Sequence, residues 1–182
     1  MSVGQGGAPP GSVAERLPNA SLGRRLVALI YEALLLTALI LVVGFLTVPL
    51  APEMPGGPRS PTIPDIPGRL LSACLVVAAA GAYFTWSWSG GRRTLPMKTW
   101  GLKLERRDGR GMDTKTALAR YLATWIGPAT ALATYAALQP FGLGAHAGWL
   151  IALNFLWALV DPDRQFLHDR IAGTRVVRAP QR

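Results

Sequence analysis

Leu26-Val27-Ala28-Leu29-Ile30-Tyr31-Glu32-Ala33-Leu34-Leu35-Leu36-Thr37-Ala38-Leu39-Ile40-Leu41-Val42-Val43-Gly44-Phe45-Leu46-Thr47-Val48-Pro49-Leu50 is an apolar run long enough to cross a bilayer as a helix. Its one charged residue is Glu32, and Arg24 and Arg25 stand at its N-terminal mouth. A carboxylate in hydrocarbon costs at least a few kcal/mol on insertion scales, so an acid kept there needs a partner or a task.

Working outward, the 182 residues suit one domain, half of them are hydrophobic, and 16% are charged. A soluble domain carries roughly 25% charge. The net charge of +9 would suit a nucleic-acid binder, but its distribution excludes that reading. Leu26–Leu50, Leu70–Ser89 and Tyr121–Val160 hold almost none of it. The single cysteine, Cys74, permits no intramolecular disulfide and makes no zinc site alone, so it reads as a small apolar packer.

Tyr121–Val160 is too long for one span and about right for two. The cluster Gln139-Pro140-Phe141-Gly142-Leu143-Gly144-Ala145-His146 supplies the turn between them. Four spans follow, at about 26–49, 69–89, 120–138 and 146–160. Basic residues should collect on the cytoplasmic side. Of the 19 Lys and Arg residues only Arg59 and Arg69 fall in the opposite loops, which places both termini and Gly90–Arg120 inside. The expected fold is an all-α membrane protein with four transmembrane helices and a small cytoplasmic interfacial or β-hairpin element.

Residues 1–20 form an expected disordered tail, rich in Gly and Pro, ahead of a membrane domain at 21–178. The first apolar run exceeds the 7–15 residues of a signal-peptide h-region, which argues against cleavage near Ala51. Pro49–Pro67 is dense in proline and reads as an extended outside loop. Thr94–Trp100 reads as a short interfacial segment anchored by Trp100. Leu102-Lys103-Leu104-Glu105 alternates like a strand, Asp108-Gly109 offers hairpin turn chemistry, and Thr174–Arg178 could add a strand. Asp113 and Thr114 are candidate caps of a new helix. Basic residues on this surface would attract anionic lipid.

Three blocks of this sequence resemble the RDD family of bacterial membrane proteins. They are Gly23–Glu32, then Gly91–Leu102 with Ala117–Arg120, and Asp163-Arg164-Gln165-Phe166-Leu167-His168-Asp169-Arg170-Ile171-Ala172-Gly173-Thr174-Arg175-Val176-Val177. By that resemblance Arg25 is the arginine of the name and Asp169 the closing aspartate. The usual first aspartate is Glu32 here, which keeps the charge and moves the carboxylate out by one methylene. The resemblance implies transport of ions or small solutes.

The candidate site residues are therefore Arg25, Glu32 and Asp169. Seven residues bring Arg25 and Glu32 within about 20° of one face but about 10 Å apart along the axis. Helical side chains lean toward the N-terminus, so Arg25 should point outward to water, away from Glu32. Arg120, at the inner mouth of the third span, is the best ion-pair partner for Glu32. His168 suits a structural or helix-end role, and Asn154 suits interhelical glue better than a polar path. No nucleophile–base set, phosphate loop or metal-ligand spacing marks an enzyme, and no cofactor is implied. Two function classes stand: a small transporter, as a homo-oligomer or with a partner membrane protein, and a non-transporting assembly, scaffold or lipid-interaction module.

Overall fold

The computed structural model describes residues 17–47 and 66–180. The expected loop at 49–67 lies almost wholly outside them, as do residues 1–16 of the expected tail. The chain is mostly helical, with one small sheet. Helices α1 (Leu22–Thr47) and α2 (Ile66–Trp88) are both long and apolar enough to cross a membrane. Pro67 sits in the first turn of α2, where its missing N–H costs no intrahelical bond.

Both helices hold large apolar side chains outward. Ile30, Leu34, Leu41 and Phe45 on α1 are exposed, as are Leu70, Leu71 and Leu75 on α2. Apolar surface of that extent needs lipid or a partner over it. Cys74, read as a small apolar packer, is exposed on α2 and so packs against no protein core. Small residues form the inner contact instead, with Ala28, Ala80 and Gly81 buried. A Cβ on Gly81 would lie 2.9 Å from the Tyr121 ring. Tyr121 also donates its hydroxyl to Val77 O at 2.7 Å, tying the next helix to α2.

That next helix, α4 (Thr114–Thr124), follows the short α3 (Leu95–Thr99) and starts where Asp113 caps it, Oδ1 accepting from Thr116 N at 2.8 Å. It breaks at Trp125 and resumes as α5 (Ile126–Leu138). Pro128 lacks the N–H that would reach Thr124 O four residues back. Asn154 Nδ2 donates to that carbonyl at 2.6 Å, and to Ala123 O at 3.4 Å. Asn154 is thus interhelical glue with a specific task. Gly127 allows the close approach, since a Cβ there would lie 2.7 Å from Ile151 O.

The chain reverses through a 3-10 turn at Gln139–Phe141 and Gly142, whose φ of 71° suits glycine, at the expected turn cluster. The return segment is 3-10 over Gly144–Ala152, α-helical as α6 (Leu153–Leu156), and 3-10 again over Trp157–Leu159. Four unbroken spans were expected. Among the described residues only α1 and α2 are unbroken and long enough, the third segment being broken before Pro128 and the fourth wound mostly as 3-10.

Strand β1 (Leu102–Arg106) pairs antiparallel with β2 (Thr174–Arg178), Leu104 opposite Val176. The expected hairpin is corrected. A turn does form at Asp108–Gly109, but it leads to α4, and β1 finds its partner about seventy residues on. Pro18–Ala20 flank β2 on its other side, with Ala20 N donating to Val176 O and Arg178 N to Pro18 O, each at 3.0 Å. Burying Val177 between these layers fixes the approach to α1 against the chain's end.

Candidate functional site

The closing segment begins with a turn built around Asp161. Its Oδ2 accepts from Asp163 N at 3.1 Å and Gln165 N at 2.8 Å, while the Arg170 guanidinium forks onto both of its oxygens. Arg170 also reaches Asp163 at 2.8 Å. The turn sets Phe166 at the start of α7 (Leu167–Ile171).

Gln165 joins three parts of the chain. Its Oε1 accepts from Arg25 Nη1 at 3.3 Å and from Val176 N at 3.2 Å, linking α1, the turn and β2. The Arg25 guanidinium lies 5.2 Å from the centre of the Phe166 ring. Arg25 is only 3% exposed. The expectation that it reaches water is corrected: the closing segment covers it.

Asp169, wholly buried, accepts from Arg120 Nε at 2.8 Å. The Arg120 guanidinium also stacks over the Trp88 ring, 4.1 Å from its centre. Thr174 Oγ1 donates to the Asp169 main-chain oxygen at 3.3 Å. Burial works to raise the Asp169 pKa, but Arg120 and the other positive groups around it hold it below the usual carboxylate range. His168 Nε2 lies 3.2 Å from Arg120 Nη2. Arginine can only donate, so Nε2 accepts and the proton sits on Nδ1. Burial, with the Arg120 and Arg25 charges assisting and Asp169 opposing, lowers the His168 pKa to about 4.

Arg25, Arg120 and Asp169 therefore meet in one buried polar cluster, and Glu32 stands apart from it. Among the described residues Glu32 makes no ion pair. Its nearest polar neighbours are the Thr94 side chain and Tyr83, with the Arg120 charge acting at longer range. Pairing of Glu32 with Arg120 is thus corrected. The wholly buried Asp169 takes the guanidinium because a carboxylate with no access to water has the greater need of a counter-charge. One Glu32 oxygen, Oε2, is buried without a hydrogen-bond partner among the described residues.

Sequence reasoning gave no role to Gln165, Trp88 or Thr174. The signal for Gln165 was present: an amide directly before Phe166-Leu167, in a segment otherwise dense in charge. Trp88 gave none beyond its place at the end of an apolar run.

Two helices long and apolar enough to cross a membrane thus stand on a polar, ion-paired base. The chain belongs to the RDD family, whose model matches residues 19–173. That range takes in Arg25, Glu32, Arg120 and Asp169 together. No curated protein and no solved structure matches the chain.

Proposed function

We propose that this is a multi-pass protein of the bacterial inner membrane, with both termini cytoplasmic, that moves a cation, proton or small solute by exchange at Glu32. The observation that carries the reading is that Glu32, on a membrane-type helix, makes no ion pair among the described residues and has Oε2 buried without a hydrogen-bond partner. Asp169 also keeps one oxygen, Oδ2, without a hydrogen-bond partner, so what separates the two acids is the ion pair that Asp169 makes to Arg120 and Glu32 lacks. Arg25, Arg120 and Asp169 brace the base, leaving Glu32 as the group free to change partner.

Four crossings remain the proposed topology. The 3-10 winding of Gly144–Leu159 supports it: at about 2.0 Å rise per 3-10 residue the segment reaches roughly 30 Å, the hydrocarbon thickness, where an α-helix would fall short. So few segments enclose little space, so the working unit is a homo-oligomer or includes a partner membrane protein. Arg24, Lys98 and Arg93 on the basic face attract anionic lipid. The reading requires no cofactor and no enzymatic step.

A second reading, a non-transporting assembly or lipid-interaction module, is favoured by the fact that two of the three motif residues brace the fold. Flux of a panel of cations and protons into proteoliposomes, with wild type and Glu32→Gln side by side, separates the two. Flux that depends on Glu32 supports exchange. A stable co-purifying partner without flux supports the module.

A further inference from the structure

We propose that the polar cavity between the strand pair and the Asp161–Gln165 turn binds a phosphate group. The cavity has a volume of about 210 Å³ and is lined by Asn19, Arg107, Asp163, Gln165 and Arg175. Its wall is rich in donors. Arg107 engages Asp163 through Nη2 at 3.2 Å, and Arg175 engages Glu105 through Nη2 at 3.3 Å. Each guanidinium has five N–H donors, so each ion pair leaves most of them unused. Arg175 Nε is buried with no hydrogen-bond partner among the described residues.

Two of the acceptors in the lining, Asp163 Oδ2 and Gln165 Oε1, are already engaged. Asp163 is held by Arg107 and Arg170, and the Gln165 carbonyl oxygen takes Arg25 and Val176 N. Gln165 Nε2 donates one N–H to Asp163 O at 3.4 Å. The free N–H groups of two guanidinium forks, with those left on the Asn19 and Gln165 amides, outnumber the remaining acceptors and match the oxygens of a phosphate. A metal cation would meet two guanidinium charges against the single Asp163 carboxylate, and an apolar group would leave the donors unpaired. The ligand can be free phosphate or a phosphate-bearing headgroup, and the chemistry of recognition is the same. Because Gln165 lines the cavity and holds Arg25, an occupant would stiffen the link between the base and α1. The proposal is independent of exchange at Glu32.

The full chain in maltoside detergent micelles, which carry no phosphate, is titrated with inorganic phosphate at constant ionic strength, and Tm is followed. In a second arm, phosphatidylglycerol is titrated into the same micelles with no inorganic phosphate. Ligand that binds only the folded state raises Tm saturably. The expected result is a rise in at least one arm, with Arg175→Gln and Arg107→Gln each weakening apparent affinity roughly tenfold or more. Arg110→Gln, which removes the same charge outside the cavity, should leave it unchanged. A rise in the first arm identifies free phosphate, and a rise in the second alone identifies the headgroup. If Arg175→Gln does not fold, Arg107→Gln and Arg175→Lys carry the comparison, the latter keeping the charge but losing the fork. No rise in either arm, or a rise as sensitive to Arg110 as to Arg107 and Arg175, would overturn the proposal.

Discussion

Asp169 and Arg120 meet at 2.8 Å with 0% and 7% of their side chains exposed, joining α7 to α4 beneath the two long helices. Removing one partner of such a pair leaves a buried charge uncompensated, at a cost of roughly 3–5 kcal/mol. Asp169→Asn should lower stability on that scale. The double variant Asp169→Asn with Arg120→Gln should recover much of the loss, because no charge is then stranded. Unfolding of the wild type, both single variants and the double variant tests this; additive losses would mean that the two residues do not act as a pair.

His168 gives the fold a pH dependence of known sign. Its folded pKa lies near 4, below the ordinary 6.5, so the unfolded chain takes up the proton first. The stability contributed by neutral His168 is therefore complete above about pH 6.5 and is lost as pH falls toward 4. It amounts to about 3 kcal/mol in all. Asp169, with its pKa held below the carboxylate range, adds a second loss only at lower pH. Thermal unfolding between pH 7 and 4.5 should show the decline, and His168→Gln should flatten it. An equal slope in the variant would assign the effect to another group.

The break between α4 and α5 can be tested by restoring what Pro128 lacks. Asn154→Ala removes the donor to Thr124 O and should cost about 1 kcal/mol, the scale of an interhelical hydrogen bond in a membrane. Pro128→Ala returns an N–H to the same carbonyl, so in the Asn154→Ala background it should restore stability. Failure of that rescue in unfolding measurements would show that Asn154 acts elsewhere.

The proposed topology places residue 106 and both termini on the cytoplasmic side and residues 139–147 outside. After Cys74 is replaced, a cysteine at position 106 should resist an impermeant thiol reagent in intact cells, and one at position 141 should react. Labelling at 106 from outside would reverse the assignment.

Much of the local structure was legible because it rests on local chemistry. The apolar runs gave α1 and α2, the Gln139–His146 cluster gave the reversal, and Asp113 gave the start of α4. What escaped depends on partners distant in the chain. Strand alternation in Leu102–Glu105 is visible, but nothing within it says that β2, rather than a local hairpin, completes the pair. The same holds for Arg120, whose position at a helix mouth suited either carboxylate until the burial of Asp169 decided between them. Arg25 was read from helix geometry alone, which cannot foresee the Gln165–Phe166 cover. The expected span at 120–138 passed over Gly127-Pro128, where the third segment breaks, and the compensating role of Asn154 is separable from others only in three dimensions.

The division of labour between a bracing Asp169–Arg120 pair and an exchanging Glu32 is tested most directly by one paired measurement on Glu32→Gln. Cation and proton flux into proteoliposomes is recorded together with Tm on the same preparation. The expected result is a Tm within a few degrees of wild type and flux reduced to the level of empty vesicles. Full flux from a folded Glu32→Gln protein would contradict it.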